Sequence, residues 1–457
     1  MTPVQTDFSK GSIPKAIMRL ALPMTAAQLV NILYSVVDRI YLGHIPGTGH
    51  LALTGLGLTL PILSVLMAFA NLCGMGGGPL CSIYRGKGDN QEAEYVMGNS
   101  FTLLLLLGVG ATAVFLLLKE PMLYLFGASA ETFPYADAYL SIYLCGTLFV
   151  MISLGMNPFI NAQGFGRVGM MTVVLGAVLN LILDPVFIFL LGWGVRGAAF
   201  ATVLSQACSD AWVLAFLTGK KAPLRLRRVT LRLQAARVRK ILALGLSGFF
   251  MSLTNSLVQV VCNKTLQIYG GDLYVGIMTI LNSLREVFMM AVTGLNNGAQ
   301  PVIGYNFGAG EERREYRAIR FSIGATVGYT MVVWLLLMAL PGPLIRLFNN
   351  DPATVYYGVS ALRIYFSLFL FMSLHVSAQS IFVALGKAKQ TVFFSLLRKA
   401  FVCAPLTVLL PLWGLGTTGV FVAEAVSQLV GGLACFGTMY CIVYRPLRQR
   451  LLINGKS

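Results

Sequence analysis

This sequence is poor in charged side chains. Asp, Glu, Lys and Arg make up 11% of its 457 residues, against about 25% in a soluble domain. So little charge cannot coat a water-facing surface, and an ordinary soluble enzyme or binding module is excluded. Acids are scarcer than bases, at 17 against 34. The three histidines, His44, His50 and His375, form no H-E-x-x-H, and no group of carboxylates is clustered for Mg²⁺, so metal-assisted hydrolysis or transfer lacks its usual residues. Eight cysteines (Cys73, Cys81, Cys145, Cys208, Cys262, Cys403, Cys435 and Cys441) include no C-x-x-C pair. They read as small packing residues rather than disulfide or metal partners. No A-x-A-like cleavage site follows the first apolar stretch, which is therefore expected to remain as a helix.

What the chain has instead is apolar length. Hydrophobic residues make up 56% and mean hydropathy is +0.75. Stretches of the ~20 apolar residues that a span requires recur throughout. They predict helices at 14–41, 50–78, 97–118, 134–158, 167–191, 196–218, 240–264, 272–298, 317–341, 354–383, 389–411 and 414–444: an all-α integral membrane protein of twelve transmembrane helices. The formal charge of +17 does not point to nucleic acid, because the bases lie in short loops. With the N-terminus inside, the outer side carries only Arg39, Lys119, Arg196, Lys264 and Arg346. Four more bases (Arg285, Arg363, Arg398 and Lys399) lie within helices, and the rest fall on the inner side. The positive-inside rule thus places both termini in the cytoplasm. Residues 219–239 form a basic joint without an acid, expected to be cytoplasmic and drawn to anionic lipid headgroups.

The joint divides a repeat. At a constant offset of 222 residues, Gly76, Pro79, Gly86 and Gly88 fall on Gly298, Pro301, Gly308 and Gly310; Tyr143 falls on Tyr365, and Gln206 on Gln428. The expected domains are therefore 1–218 (helices 1–6), the joint 219–239, and 240–457 (helices 7–12). An even helix number per half makes both halves enter from the same side. They should be related by a pseudo-two-fold axis along the membrane normal, with a substrate site between them.

Ionisable groups at membrane depth are costly and mark function. Asn180 and Asp184 are one turn apart on one helix face, and Pro185 frees a carbonyl one turn back. With Asp38 and Thr202 they form a set of hard oxygen donors suited to Na⁺, by extension from Ca²⁺ and Mg²⁺. The two carboxylates alternatively share a proton, since two close carboxylates do not both ionise cheaply. Tyr34, one turn before Asp38, points to the same pocket. At the 222-residue offset Asp38 meets Val260, Asn180 meets Val402, Asp184 meets Leu406 and Thr202 meets Glu424, so the cluster exists in one half only. Glu286 beside Arg285, Glu424 without an obvious basic partner, His375, Gln206 and Gln259 are candidates for a substrate cavity. Pro23 predicts a kink in helix 1.

The runs VVDRIYLG (36–43), LNLILDPVFIF (179–189) and GAQPVIGYNFGAG (298–310), with RGKGD (85–89) matching the last in the first half, resemble multidrug and toxic compound extrusion (MATE) transporters. The resemblance covers the whole chain. It implies two six-helix lobes and export of small organic, often cationic, drug-like molecules in exchange for Na⁺ or H⁺ by alternating access. It implies a non-enzyme without cofactor beyond the coupling ion, acting as a monomer among membrane lipids in a bacterial cytoplasmic membrane. Its N-lobe cation site maps onto Asp38, Asn180, Asp184 and Thr202. The branch that uses acids in helices 7 and 10 is not matched, since Asn255, Gln259 and His375 stand there. A related lipid-linked precursor flippase, or an intramembrane transferase, is the alternative.

Overall fold

The computed structural model describes residues 5–454, and among these every regular element is helical. The helix α1 (Ile13–Gly43) contains Pro23 without being interrupted by it. Its 31 residues rise ~46 Å, more than the ~30 Å hydrocarbon core. It is followed by α2 (Gly49–Gly86) and α3 (Asn90–Leu125). Asp89 caps α3 by accepting the Glu92 N–H at 2.9 Å, which satisfies one of the open donors of a first turn. The pair α4 (Phe133–Cys145) and α5 (Thr147–Ala162) is bent by 57° at Gly146, where the Val203 side chain occupies the space a Cβ would take. Then come α6 (Gly166–Pro185), which runs on as a π turn over Val186–Leu190, and α7 (Gly194–Thr218).

The long α8 (Ala235–Gly308) is broken at Gly271. Its φ of +64° is open to glycine at little cost, and the break separates the spans expected at 240–264 and 272–298. Next are α9 (Glu312–Ala339), the short α10 (Pro341–Arg346), and α11 (Pro352–Phe366) with α12 (Phe369–Ala384), bent by 43°. The chain continues through α13 (Ala388–Leu396), a π segment at Leu397–Cys403, α14 (Ala404–Leu410), a π turn at Pro411–Leu415, α15 (Gly416–Met439), a π turn at Tyr440–Tyr444, and α16 (Arg445–Asn454). Each bent pair makes one span, α8 makes two, and the runs on either side of Gly414 and Gly416 make one each. All twelve expected spans are present.

By compactness the chain divides differently from the halves drawn at the joint. One unit comprises Leu22–Phe249 with the segment ending at Asp7; the other comprises Phe8–Ala21 and the described chain from Phe250 onward. The first turns of α1 therefore belong to the second unit, where Phe8, Ile13, Ile17 and Leu20 are buried with Ile303, Ile319 and Phe382. In the first unit one core gathers Met97, Phe159, Ile160 and Leu217, another Leu42, Ile62, Tyr139 and Leu144. Large apolar side chains are left outside, among them Leu117 at 81% and Leu190 at 78% exposure, which suits a surface facing lipid.

The basic joint is folded down rather than free. Asn99 donates to the Thr230 and Arg232 carbonyls at 3.2 Å each and accepts the Gln234 N–H at 2.8 Å. Glu94 accepts the Arg225 N–H at 2.9 Å and pairs with Arg227 at 3.4 Å. Arg237 grips Glu92 through two bonds of 2.9 and 2.6 Å and lies 4.3 Å over the Tyr95 ring. The joint's bases are thus partly spent on the acids of α3.

Candidate functional site

The N-terminal polar set meets in one place. Asp38 comes from α1, Asn180 and Asp184 from α6 and Thr202 from α7, and these four are 8%, 1%, 1% and 5% exposed. In the amide orientation that satisfies both neighbours, Asn180 donates to Asp184 Oδ2 at 2.7 Å and accepts the Thr202 N–H at 3.3 Å. Thr202 spends its hydroxyl proton on the Ala198 carbonyl at 3.0 Å, leaving its lone pairs free to accept. The Asp38 and Asp184 carboxyls face each other, and Asp38 Oδ1 is buried without a partner. Asp38 does not form the solvated pair with its neighbour that sequence adjacency allows: Arg39 is exposed while Asp38 turns inward.

Tyr34 brings its hydroxyl toward Thr202, as expected, and two further tyrosines join it. Tyr139 also lies near Thr202, and Tyr143 is close to both Tyr34 and Tyr139. Both come from α4 and are 4% exposed. Tyr143 was visible in the repeat as the counterpart of Tyr365; nothing in the sequence singled out Tyr139.

The donor set suits a small hard cation. It offers two carboxylates and the hydroxyl and amide oxygens of Thr202 and Asn180, with one carboxylate oxygen unengaged. A monovalent ion would offset negative charge that no basic side chain within the cluster offsets. Among the described residues no three His, Cys, Asp or Glu side chains converge on a metal position, so the arrangement is not the multi-carboxylate cage of a divalent site.

The second unit holds a different cluster at the matching place in the repeat. Glu424 is not without basic partners. It faces Lys399 Nζ at 3.0 Å, Arg398 Nη1 at 3.4 Å and Arg285 Nη1 at 3.7 Å, and accepts from Cys403 Sγ at 3.0 Å. Sequence distance hid these partners, since Arg285 lies on α8 and the other two on the π segment. Arg285 pairs with Glu424 and not with Glu286, which is exposed.

The remaining cavity candidates are each engaged in hydrogen bonds. His375 is buried on the Gly431 carbonyl at 3.1 Å. Gln206 accepts from Ser153 at 2.9 Å. Gln259 belongs to a polar chain: it donates to Asn263 and accepts from Asn282, both at 3.0 Å, and Asn282 accepts from Tyr365 at 3.3 Å.

A family model described as MatE matches residues 23–186 and 248–409. The chain is 28% identical over 452 residues to the multidrug export protein MepA of Staphylococcus haemolyticus, covering 98% of this chain and 97% of that protein. It is 25% identical over 451 residues to MepA of Staphylococcus aureus, covering 98% and 97%. Among solved structures, it resembles an outward-facing multidrug resistance MATE transporter with a TM-score of 0.89 at 23% identity, covering 98% of this chain and 99% of that chain. A MOP superfamily transporter from Pyrococcus furiosus gives 0.90 at 23% identity, covering 98% and 99%. These likenesses to solved structures concern the fold.

Proposed function

The chain belongs to the MatE family, and on that premise we propose that it is a secondary active antiporter exporting small organic, drug-like cations in exchange for Na⁺ or H⁺. The observation that supports this reading is the buried meeting of Asp38 and Asp184, with one carboxylate oxygen left without a partner. A coupling ion held there stabilises the conformation in which these oxygens converge, and the exported molecule stabilises the other. A ligand shifts such an equilibrium only by its differential affinity for the two states. The multidrug export named for the MepA relatives, which cover nearly all of this chain, agrees with it. The protein lies in a bacterial cytoplasmic membrane with both termini and the joint 219–239 inside, and works as a monomer on small organic substrates.

Expression in a pump-deficient bacterium, with ethidium efflux followed by fluorescence, tests the reading. The parent chain lowers retained dye and Asp184→Asn does not, at matched membrane abundance. Efflux by Asp184→Asn equal to the parent's would remove the cation-site assignment. Replacing Na⁺ by K⁺ at fixed pH, then collapsing the pH gradient at fixed Na⁺, separates the two coupling ions.

A further inference from the structure

The 222-residue repeat sets the two polar clusters in register, and their charges are opposite. Thr202 of the acidic cluster occupies the position of Glu424, and Tyr143 that of Tyr365. Around Glu424 stand three cations to one carboxylate. Arg398, Lys399 and Glu424 are 6%, 4% and 2% exposed, and the Arg285 side chain is 21% exposed. Glu286 is the next nearest acid, acting on Arg285 from its exposed position; even with it counted, the cluster keeps an excess of positive charge. Uncompensated charge buried among membrane-spanning helices is costly, so a counter-anion is energetically called for.

A second observation points to a ligand. Glu424, Gln428 and Gly431 follow at i, i+4 and i+7 along one face of α15. Gln428 is wholly buried, yet neither its Nε2 nor its Oε1 has a partner. Arg398 runs past it, for its stem fills the space over Gly431, where a Cβ would lie 2.7 Å from Cγ, and its guanidinium ends at Glu424. In the first unit the equivalent Gln206 is engaged by Ser153. His375 stands at the position of Ser153 in the second half, and it turns to the Gly431 carbonyl instead, which leaves Gln428 open. A buried amide without a partner is rare in folded proteins and calls for a missing partner.

We propose that Arg285, Arg398, Lys399 and Gln428 form a binding site for the carboxylate of an exported organic molecule. Guanidinium groups bind carboxylates through charge-assisted, often bidentate hydrogen bonds, the Gln428 amide adds a neutral donor, and Glu424 holds the cations in place. Arg285, at the exposed edge, is where the anion enters. This rests on the export reading and deepens it: the chain takes zwitterionic or acidic compounds as well as cations.

The test uses two forms of one fluorophore, rhodamine B with its free carboxylate and its ethyl ester, bound to the purified full-length protein in a non-ionic detergent and read by anisotropy. The free acid binds about tenfold tighter than the ester, a difference of about 1.4 kcal/mol. Arg285→Gln and Gln428→Leu each weaken the acid about tenfold more than the ester. The uncharged Gln428→Leu keeps the test decisive where Arg285→Gln fails to fold. Equal binding of acid and ester, or variants that weaken both alike at unchanged thermal stability, would overturn the carboxylate site. Ethidium export by the same protein is scored separately. Its loss, with acid-selective binding intact, counts against the export reading and not against this site.

Discussion

At the level of single residues, the two clusters respond to mutation in opposite ways. Glu424 pairs with two buried cations, Arg398 and Lys399, and with the partly exposed Arg285. Removing one partner of a buried ion pair costs about 3–5 kcal/mol because the other charge is stranded. Glu424→Gln therefore lowers the melting temperature of the detergent-purified protein well beyond the effect of Glu286→Gln at its exposed position. Adding Lys399→Met to Glu424→Gln recovers part of the loss, since sites in direct contact are not additive. In the acidic cluster the missing group is a cation. If Na⁺ is the coupling ion, Na⁺ raises the melting temperature of the parent, by about 2.7 kcal/mol of stability at a hundredfold excess over the dissociation constant. Asp38→Asn abolishes that rise. A parent that gains nothing from Na⁺ while its efflux follows the pH gradient assigns the coupling to H⁺. Asp184 was legible because Asn180, Pro185 and their one-turn spacing are local. Tyr139 and the partners of Glu424 were not, because they arrive from other helices.

At the level of elements, the joint between the halves has partners that its own residues do not reveal. Nine bases without an acid in 220–240 suggest attraction to anionic lipid headgroups. Its partners are Glu92, Glu94 and Asn99, all on the first turns of α3. Gly98 permits the approach, since a Cβ there would overlap the Thr230 carbonyl. Asn99→Ala deletes three bonds to the joint at once. At about 1 kcal/mol each, their loss opens the segment locally without unfolding the helices. Trypsin, which cuts after Lys and Arg, then cleaves Asn99→Ala within 220–240 at a protease level the parent withstands; equal resistance would show that the joint is held by other contacts. The break in α8 belongs to the same scale. Gly271 at φ +64° accepts no side chain cheaply, and Gly271→Val destabilises the protein by about 1–3 kcal/mol, read as a fall in melting temperature.

At the level of the whole molecule, charge placement predicts orientation. A fluorescent protein fused after the C-terminus lights up in cells, and alkaline phosphatase at the same place stays inactive; the reverse pair of results would invert the topology. Twelve spans and their order were fixed by hydropathy alone, because a bilayer requires ~20 apolar residues and internally satisfied backbone for each crossing. The repeat was likewise legible, since one constant offset needs no coordinates. What the linear order could not decide is which unit the start of α1 joins. Phe8–Ala21 is contiguous with the first half in sequence, yet it packs in the second unit, because burial follows complementary surfaces and not chain proximity. Nor could it decide that Arg285, Arg398 and Lys399 converge on Glu424 while Gln428 is left without a partner. From the sequence follow the lipid solvent, the spans and the one-turn pair Asn180 and Asp184. The tertiary structure alone decided the basic cluster, since a salt bridge is a relation between side chains brought together by helix packing.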